Sequence, residues 1–254
     1  MSTNDLLSLA GRTAVVTGGS RNIGRAIAEK FAGAGMSVVV LSRDQDAAKQ
    51  VVDSIREGGG RAFCVGCDVS EPLEVKSAVA EAARLMDGID VVVNSAGILD
   101  MVPIESQTIE HWDAVMNTNL RGTFLASQAS IPYLEESAAP RIINISSNAG
   151  RMGGFENGMA YTASKGGVIA LTYGMARQLA SKGITVNCVA PGTIESDMLR
   201  ERDPATRERL LRRFPVGRFG YPDEVAAAAC FFASTESGFA TGAVLDVNGG
   251  LFMG

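Results

Sequence analysis

Tyr161 and Lys165 stand four residues apart in "YTASK", within the helix-period stretch "GMAYTASKGGVIALTYGMARQLA", so both project from one face of a helix. A phenol with its ordinary pKa of about 10 is only ~0.1% ionised at neutral pH, and stabilising the phenolate by three units takes about 4 kcal/mol. A neighbouring ammonium supplies part of that. The pair can then exchange a proton with a substrate oxygen, as general acid or general base. A tyrosine four residues before a lysine is also common by chance, so the pair needs support from elsewhere in the chain.

A second stretch with chemical content is "TGGSRNIG", residues 17–24, between an apolar run and the helix-like "RAIAEKFAGAG". Strand, tight turn and helix form the context in which Gly18, Gly19 and Gly24 let backbone amides approach a pyrophosphate at the positive end of a helix. Asn22 stands where such a turn has its middle glycine. Asparagine is the non-glycine residue best able to hold a positive φ, so the turn can keep its shape at modest cost. A plain turn capping a helix is the competing reading, and the glycine spacing alone does not decide between them.

Other chemistry is thinly represented. "CVGC", residues 64–67, has the look of a redox pair, but it lies in the extended run "RAFCVGCDVS", where residues three apart point to opposite faces. No second pair completes a zinc site, so no metal is expected, and Cys64, Cys67, Cys188 and Cys230 read as buried thiols that pack as small hydrophobes. The lone histidine, His111, sits in "TIEHWDAVMNTNL" and reads as a helix-surface residue, which largely excludes histidine chemistry.

The elements that must position these groups alternate along the chain. Short apolar runs, "TAVVTG", "SVVVLS", "AFCVGCD", "DVVVNSAG", "RIINISS", "ITVNCVAPG" and "AVLDVNGG", are separated by longer helix-period segments. Unbroken apolar strands fit a sheet covered on both faces, so the expected fold is α/β: a single-domain, doubly wound, seven-stranded parallel sheet of Rossmann type. Right-handed crossovers then place a nucleotide site at the carboxyl ends of the strands. The 254 residues, 46% hydrophobic and 20% charged, suit one such domain. A net charge of -5 without a long basic run gives no footprint for nucleic acid or for a membrane surface. The amino terminus carries Asp5 where a signal peptide would be basic, and no segment nears ~18 apolar residues, so a cytoplasmic protein is expected.

Taken together, "TGGSRNIG", "CDV", "NSAG", "NTNLRG", "INISS", "YTASK", "APGTIES" and "DVNGG" follow one another in an order and spacing that resembles the short-chain dehydrogenase/reductase family over essentially the whole chain. The pattern is nearest to 3-oxoacyl-carrier-protein reductase-like members. The resemblance implies a tetrad of Asn119, Ser147, Tyr161 and Lys165. Tyr161 protonates a carbonyl as hydride leaves a nicotinamide, and Ser147 hydrogen-bonds that oxygen. Lys165 holds the ribose hydroxyls and lowers the tyrosine pKa, while Asn119 fixes a water that links Lys165 to solvent. Gly18 and Gly24 border the pyrophosphate, with Ser20, Arg21, Asn22 and Ile23 in the same turn. Asp68 and Val69 meet the adenine; Asn94, with Ala96 and Gly97, lies beside the cofactor; Pro191 and Gly192 lead to Ile194 and Ser196 at the carboxamide. Singly, these residues also have ordinary readings: Ser147 as a turn former, Asn119 as a packing residue, Asp68 as the start of a helix before Ser70.

Departures from the family pattern are Asn22 for glycine, Ser95 for the second asparagine of "NNAG", Ser196 where threonine is commoner, and one extra residue between Ser147 and Tyr161. The last falls in the "GRMGGFENGM" loop and bears on substrate shape; Ser146 is the alternative serine if the register is off by one. Pocket candidates mix Met101, Met152, Phe155, Met159, Met198 and Leu199 with Asp100, Arg151, Glu156 and Glu195. That mixture fits an acyl ketone or a sugar, so a 3-oxoacyl reductase-like enzyme is expected, with a sugar or polyol dehydrogenase as the alternative and a non-catalytic nucleotide sensor or scaffold as the remote one. "MLRERDPATRERLLRRF", residues 198–214, reads as a solvated lid helix within a lid spanning 195–214, since acids interleave its arginines. A docking face for an acidic carrier protein is the other reading. The resemblance implies a homotetramer, with the apolar "AVLDVNGGLFMG" end at a subunit contact rather than folded back. NADP(H) is expected over NAD(H). Ser42 and Arg43 occupy the end of "VVVLSRD", where NAD-selective relatives carry an acid; Arg21 is a second cation, and Asp44 reads as a helix cap.

Overall fold

Val, Ile and Ala crowd the seven strand runs because each strand must bury both of its faces. The computed structural model describes residues 9–254; the acidic amino-terminal feature at Asp5 lies outside the described residues. In chain order the elements are β1 (Thr13–Thr17), α1 (Asn22–Gly33), β2 (Ser37–Ser42), α2 (Gln45–Glu57), β3 (Arg61–Gly66), α3 (Pro72–Met86) and β4 (Val91–Asn94). There follow α4 (Ile109–Met116), α5 (Gly122–Leu134), β5 (Arg141–Ile145), α6 (Ala149–Met152), α7 (Met159–Leu179) and β6 (Thr185–Pro191). The chain closes with α8 (Asp197–Arg200), α9 (Pro204–Leu211), α10 (Pro222–Ala233) and β7 (Val244–Val247).

All seven strands pair in parallel in the order β3-β2-β1-β4-β5-β6-β7, the doubly wound arrangement expected from the sequence. The order reverses direction between β1 and β4, and the connections leaving those two strands part there, opening a crevice at their carboxyl ends. Alternation along each strand sorts side chains into two cores. Ala14, Val16, Val38, Val40, Val91 and Val93 pack under α1, α2 and α10, whereas Val15, Val39, Leu41, Val92 and Ile142 pack under α3, α5 and α7. Cys64 and Cys67 fall to opposite cores as the extended spacing requires; all four cysteines are free, with Cys64 only half-buried.

The segment 198–214 differs from the single helix expected. It forms two short helices, α8 and α9, broken at Asp203–Pro204, because Pro204 starts a new helix capped by Asp203. Leu199, Leu210, Phe214 and Phe219 form a small core of their own, joined by Leu251 from the carboxyl end. No helix among the described residues is long and apolar enough to cross a membrane.

Candidate active site

The β1–α1 turn is built as the glycine pattern suggests. Gly18 has φ 64° and its amide donates to Leu41 O at 2.8 Å, while Asn22 holds φ 46°, the positive value its side chain tolerates. A Cβ on Gly24 would sit 2.2 Å from the Gly18 carbonyl oxygen, so only glycine lets the first turn of α1 close against this loop. α1 begins with neither a side-chain cap nor an acidic residue, leaving its first amides and positive end unsatisfied.

Those amides face a cleft of about 480 Å³ at the carboxyl ends of the strands. Gly18, Ser20, Arg21, Asn22, Ile23 and Gly24 line it from the turn, Ser42 and Arg43 from the end of β2, and Val69, Ala96 and Gly97 from the loops after β3 and β4. Pro191, Gly192, Ile194 and Ser196 close the other wall, so nearly the whole expected cofactor set is brought together. Two members are not. Asn94 is buried, and its Nδ2 donates to Asn144 Oδ1 at 2.8 Å and Ser127 Oγ at 2.9 Å, a core network on the far side of the strand end. Asp68 lies outside the lining: its carboxylate accepts from the Ser70 amide and hydroxyl and from Arg43 at 3.4 Å. Burial by itself would raise the Asp68 pKa, but the Ser70 and Arg43 interactions leave it lowered.

At the end of β2 the Ser42 hydroxyl donates to Ser20 Oγ and accepts from the Asp44 amide. Asp44 is the amino-terminal cap of α2, its carboxylate accepting from the Ala47 amide at 3.0 Å. The rim here carries two guanidiniums, Arg21 and Arg43.

Tyr161 and Lys165 project together from the first turns of α7. Lys165 is buried, its Nζ donating to Ile145 O at 2.9 Å and lying 5.7 Å from the Tyr161 ring centroid. Burial lowers the Lys165 pKa to about 8. Burial likewise raises Tyr161, and the opposing influence is its hydrogen bond with Ser147. The ammonium donates to the Ile145 carbonyl, and for the phenol desolvation outweighs the help it receives from Ser147.

Ser147 lines the cleft and accepts from the Ala149 amide at 3.1 Å, whereas Ser146 spends its hydroxyl on Lys165 O at 2.7 Å, which favours the first register. Asn119 sits in a π-helical turn, Asn117–Arg121, between α4 and α5. This widened turn, invisible in the sequence pattern, points its amide inward: Oδ1 accepts from Ile98 N at 2.8 Å, and Nδ2 donates to Ile98 O and to Ser164 Oγ. Asn119 is fully buried, and through these bonds its side chain clamps the loop after β4 to α7.

A second cavity of about 210 Å³ opens from the first and shares Ser147, Tyr161, Ile194 and Met198 with it. Met101, Phe155, Glu156, Met198 and Leu199 line it as expected. Asp100, Arg151, Met152 and Met159 do not. Asp100 is buried with its Oδ1 3.0 Å from His111 Nε2, so the histidine read as a plain surface residue ties α4 to the loop after β4. Arg151 turns to Asp246 at 3.2 Å and stacks over Phe252; Met152 and Met159 point outward. Glu195 lines the larger cleft, held by Arg207 at 2.9 Å.

The lid arginines are not simply solvated. Arg202 and Arg209 both grip Glu156, at 2.9 and 2.8 Å, and Arg213 stacks on Phe155 at 4.2 Å, tying the lid to the 153–158 loop. Sequence reasoning missed Arg202, Arg213, Asn148, Asn157 and Leu251 as lining residues. Nothing in local spacing marks them, because they converge from the lid, the loop and the carboxyl end. Leu251 folds back into its own lid core, so the carboxyl end is in part an intramolecular element.

The family described as Enoyl-(Acyl carrier protein) reductase matches residues 18–252. The 3-oxoacyl-[acyl-carrier-protein] reductase FabG of Aquifex aeolicus is 37% identical over 247 residues, covering 97% of this chain and 99% of that protein. The FabG of Vibrio cholerae is 39% identical over 249 residues, covering 97% and 100%. The crystal structure of a dehydrogenase/reductase from Sinorhizobium meliloti 1021 superposes with a TM-score of 0.93 at 36% identity, covering 99% of each chain.

Proposed function

Because the chain belongs to the short-chain dehydrogenase/reductase family, an oxidoreductase family that works on the CH-OH/C=O couple with a nicotinamide dinucleotide, we propose that it reversibly reduces a 3-oxoacyl-type ketone with NADP(H). The observation that carries the proposal is that Ser147 and Tyr161 line both cavities, and so stand where the long cleft meets the smaller pocket. The cleft suits a dinucleotide on its own chemistry, since the amides of Asn22, Ile23 and Gly24 are donors without side-chain partners at a positive helix end. In this reading they take the pyrophosphate, Val69 meets the adenine, Lys165 holds ribose hydroxyls, and Ile194 and Ser196 meet the carboxamide. Bound there, the dinucleotide supplies or accepts the hydride.

Tyr161 gives its hydroxyl proton to the substrate carbonyl oxygen, and the raised pKa keeps that proton in place at neutral pH. Ser147 donates a hydrogen bond to the same oxygen, and Asn119 positions α7 through Ser164. NADP(H) is preferred because Ser42, not an acid, ends β2 and Arg21 and Arg43 stand at the rim; Asp44 also lines the cleft, but it lies past Arg43 and turns its carboxylate to the Ala47 amide as a helix cap. The bridge from Arg43 to Asp68 is exposed and 3.4 Å long, worth about 0–1 kcal/mol and readily exchanged for a phosphate.

A sugar or polyol dehydrogenase is the second reading, favoured by Asn148, Asn157, Thr193 and Ser196 in the smaller cavity. Rates followed at the nicotinamide absorbance, with a 3-oxoacyl thioester against a panel of ketoses and polyols, separate the two. Tyr161→Phe is expected to lose on the order of 10²–10⁴-fold in kcat while keeping its cofactor-induced thermal shift. A variant that retains the wild-type rate overturns the assignment.

A further inference from the structure

We propose that the substrate of this pocket carries a carboxylate, and that Arg213 recognises it. The inference rests on the reading of the smaller cavity as the substrate pocket of a ketone reductase, and it narrows the substrate to a small oxo acid in place of a neutral ketone.

The charges lining that cavity are Glu156, Arg202 and Arg213. Glu156 is already neutralised by two lid arginines: Arg202 hydrogen-bonds Oε2 at 2.9 Å, and Arg209 lies 2.8 Å from Oε1 as an ion pair, without hydrogen-bond geometry. Arg213 is left over. Among the described residues its guanidinium has no carboxylate within salt-bridge distance, and Nη1 is buried without a hydrogen-bond partner. Arg213 is half-buried, but a guanidinium nitrogen shut from water without an acceptor is costly, so its retention beside a cavity points to an acceptor that arrives with a ligand.

The group is also held in a shape suited to that task. Its guanidinium carbon lies 4.2 Å from the centroid of the Phe155 ring, another lining residue, and Phe214 next to it in the chain is anchored in the lid core. Stacking fixes the plane of the fork while leaving its N–H edge free, the arrangement that accepts the two oxygens of a carboxylate side by side. Arg202 adds a second positive charge, with its other nitrogen turned to Met101 Sδ at 3.0 Å. The lining therefore carries one net positive charge in a partly apolar surround of Leu99, Leu199 and Leu251. At about 210 Å³ the space is smaller than the roughly 300–1,000 Å³ of pockets for drug-sized ligands, which suits a short acid.

The test compares 3-oxobutanoate with its uncharged methyl ester in the wild type, Arg213→Gln and Arg213→Lys, with a 3-oxoacyl phosphopantetheine thioester as a third substrate. The wild type is expected to favour the acid in kcat/KM. Arg213→Gln should lower the acid-to-ester ratio by about tenfold or more, carried by the KM of the acid, as the loss of one charge-assisted interaction requires. Arg213→Lys, which keeps the charge without the paired geometry, should fall between and guards against a folding defect in the first variant. Calorimetric binding of 3-hydroxybutanoate to the cofactor-loaded protein should weaken in parallel. A wild type that favours the ester, or a ratio that Arg213→Gln does not move, overturns the proposal. So does a loss confined to the phosphopantetheine substrate, which would assign the guanidinium to a phosphate. If none of the three ketones is reduced, the ketone-reductase reading fails instead, and the calorimetric comparison still decides whether Arg213 holds a carboxylate.

Discussion

Lys165 carries its ammonium in a place that water barely reaches, with one backbone carbonyl, that of Ile145, as hydrogen-bond partner. Its pKa falls from 10.5 to about 8, so at neutral pH the folded protein bears a desolvated charge worth roughly 3 kcal/mol against stability. Between about 8 and 10.5 the unfolded chain binds more protons than the folded one, so this residue makes stability rise with pH across that window. Below it, the penalty is constant. Lys165→Met removes the charge at the cost of leaving the Ile145 carbonyl unpaired, about 1–2 kcal/mol. Urea unfolding is therefore expected to show the variant more stable than wild type by about 1–2 kcal/mol at pH 7, with the gain shrinking as the pH is raised, while activity is lost. A variant less stable than wild type at pH 7 contradicts the account. Arg43 offers a second test at this scale. If a charge-assisted hydrogen bond gives about 1.5–3 kcal/mol, Arg43→Asp should move the NADP(H)-to-NAD(H) ratio of kcat/KM toward NAD(H) by roughly tenfold or more. A wild type that prefers NAD(H), or a ratio that the substitution leaves in place, removes the basis for assigning a 2'-phosphate to Arg21 and Arg43.

At the scale of elements, the β1–α1 turn was legible because each of its constraints is local: a strand end, a positive φ at Asn22, and a Gly24 pressed against Gly18. Of the tetrad, only the pairing of Tyr161 with Lys165 was legible from helical spacing, whereas Ser147, two residues past the end of β5, and Asn119 entered through the family resemblance. What escaped the sequence is convergence between distant segments. The π-turn that aims Asn119 at Ile98, the burial of Asp100 against His111, and the meeting of Glu156 with Arg202 and Arg209 each depend on how two elements pack. The lid is the element most affected. Its two short helices rest on a small core of four buried residues and on ion pairs to the 153–158 loop, few contacts beside those of the central sheet. We propose that residues 195–214 form a lid that opens on this hinge of charges. Amide exchange there is expected to slow when cofactor and substrate are added together and to quicken in Glu156→Gln. Exchange indifferent to both the ligands and the substitution rules out a mobile lid.

The whole molecule leaves apolar surface that a single chain does not cover. Phe124 on α5 is 42% exposed and Tyr173 on α7 is 40% exposed, although each helix already buries its opposite side against the sheet. At the other end of the molecule β7 is an edge strand of four residues, with Leu245 at 38%, Phe239 fully exposed just before it and Met253 at 77% just after. An uncovered strand edge flanked by apolar side chains invites pairing, and two separate sticky faces on one chain fit an assembly with two kinds of two-fold contact. Leu251 is excluded from that surface, since it is spent on the lid core, so the carboxyl end contributes through β7 and its exposed neighbours rather than through its whole length. We propose a homotetramer with α5 and α7 at one contact and β7 at the other. Light scattering coupled to size exclusion should then return four times the chain mass of 26.5 kDa. Phe239→Glu is expected to halve that mass by breaking the contact at β7 alone, with the α5 and α7 contact intact, and Phe124→Asp should do the same at the opposite face. A wild type that elutes as a monomer would show that these side chains remain in water, and would return the exposed β7 edge to the category of an unprotected strand end.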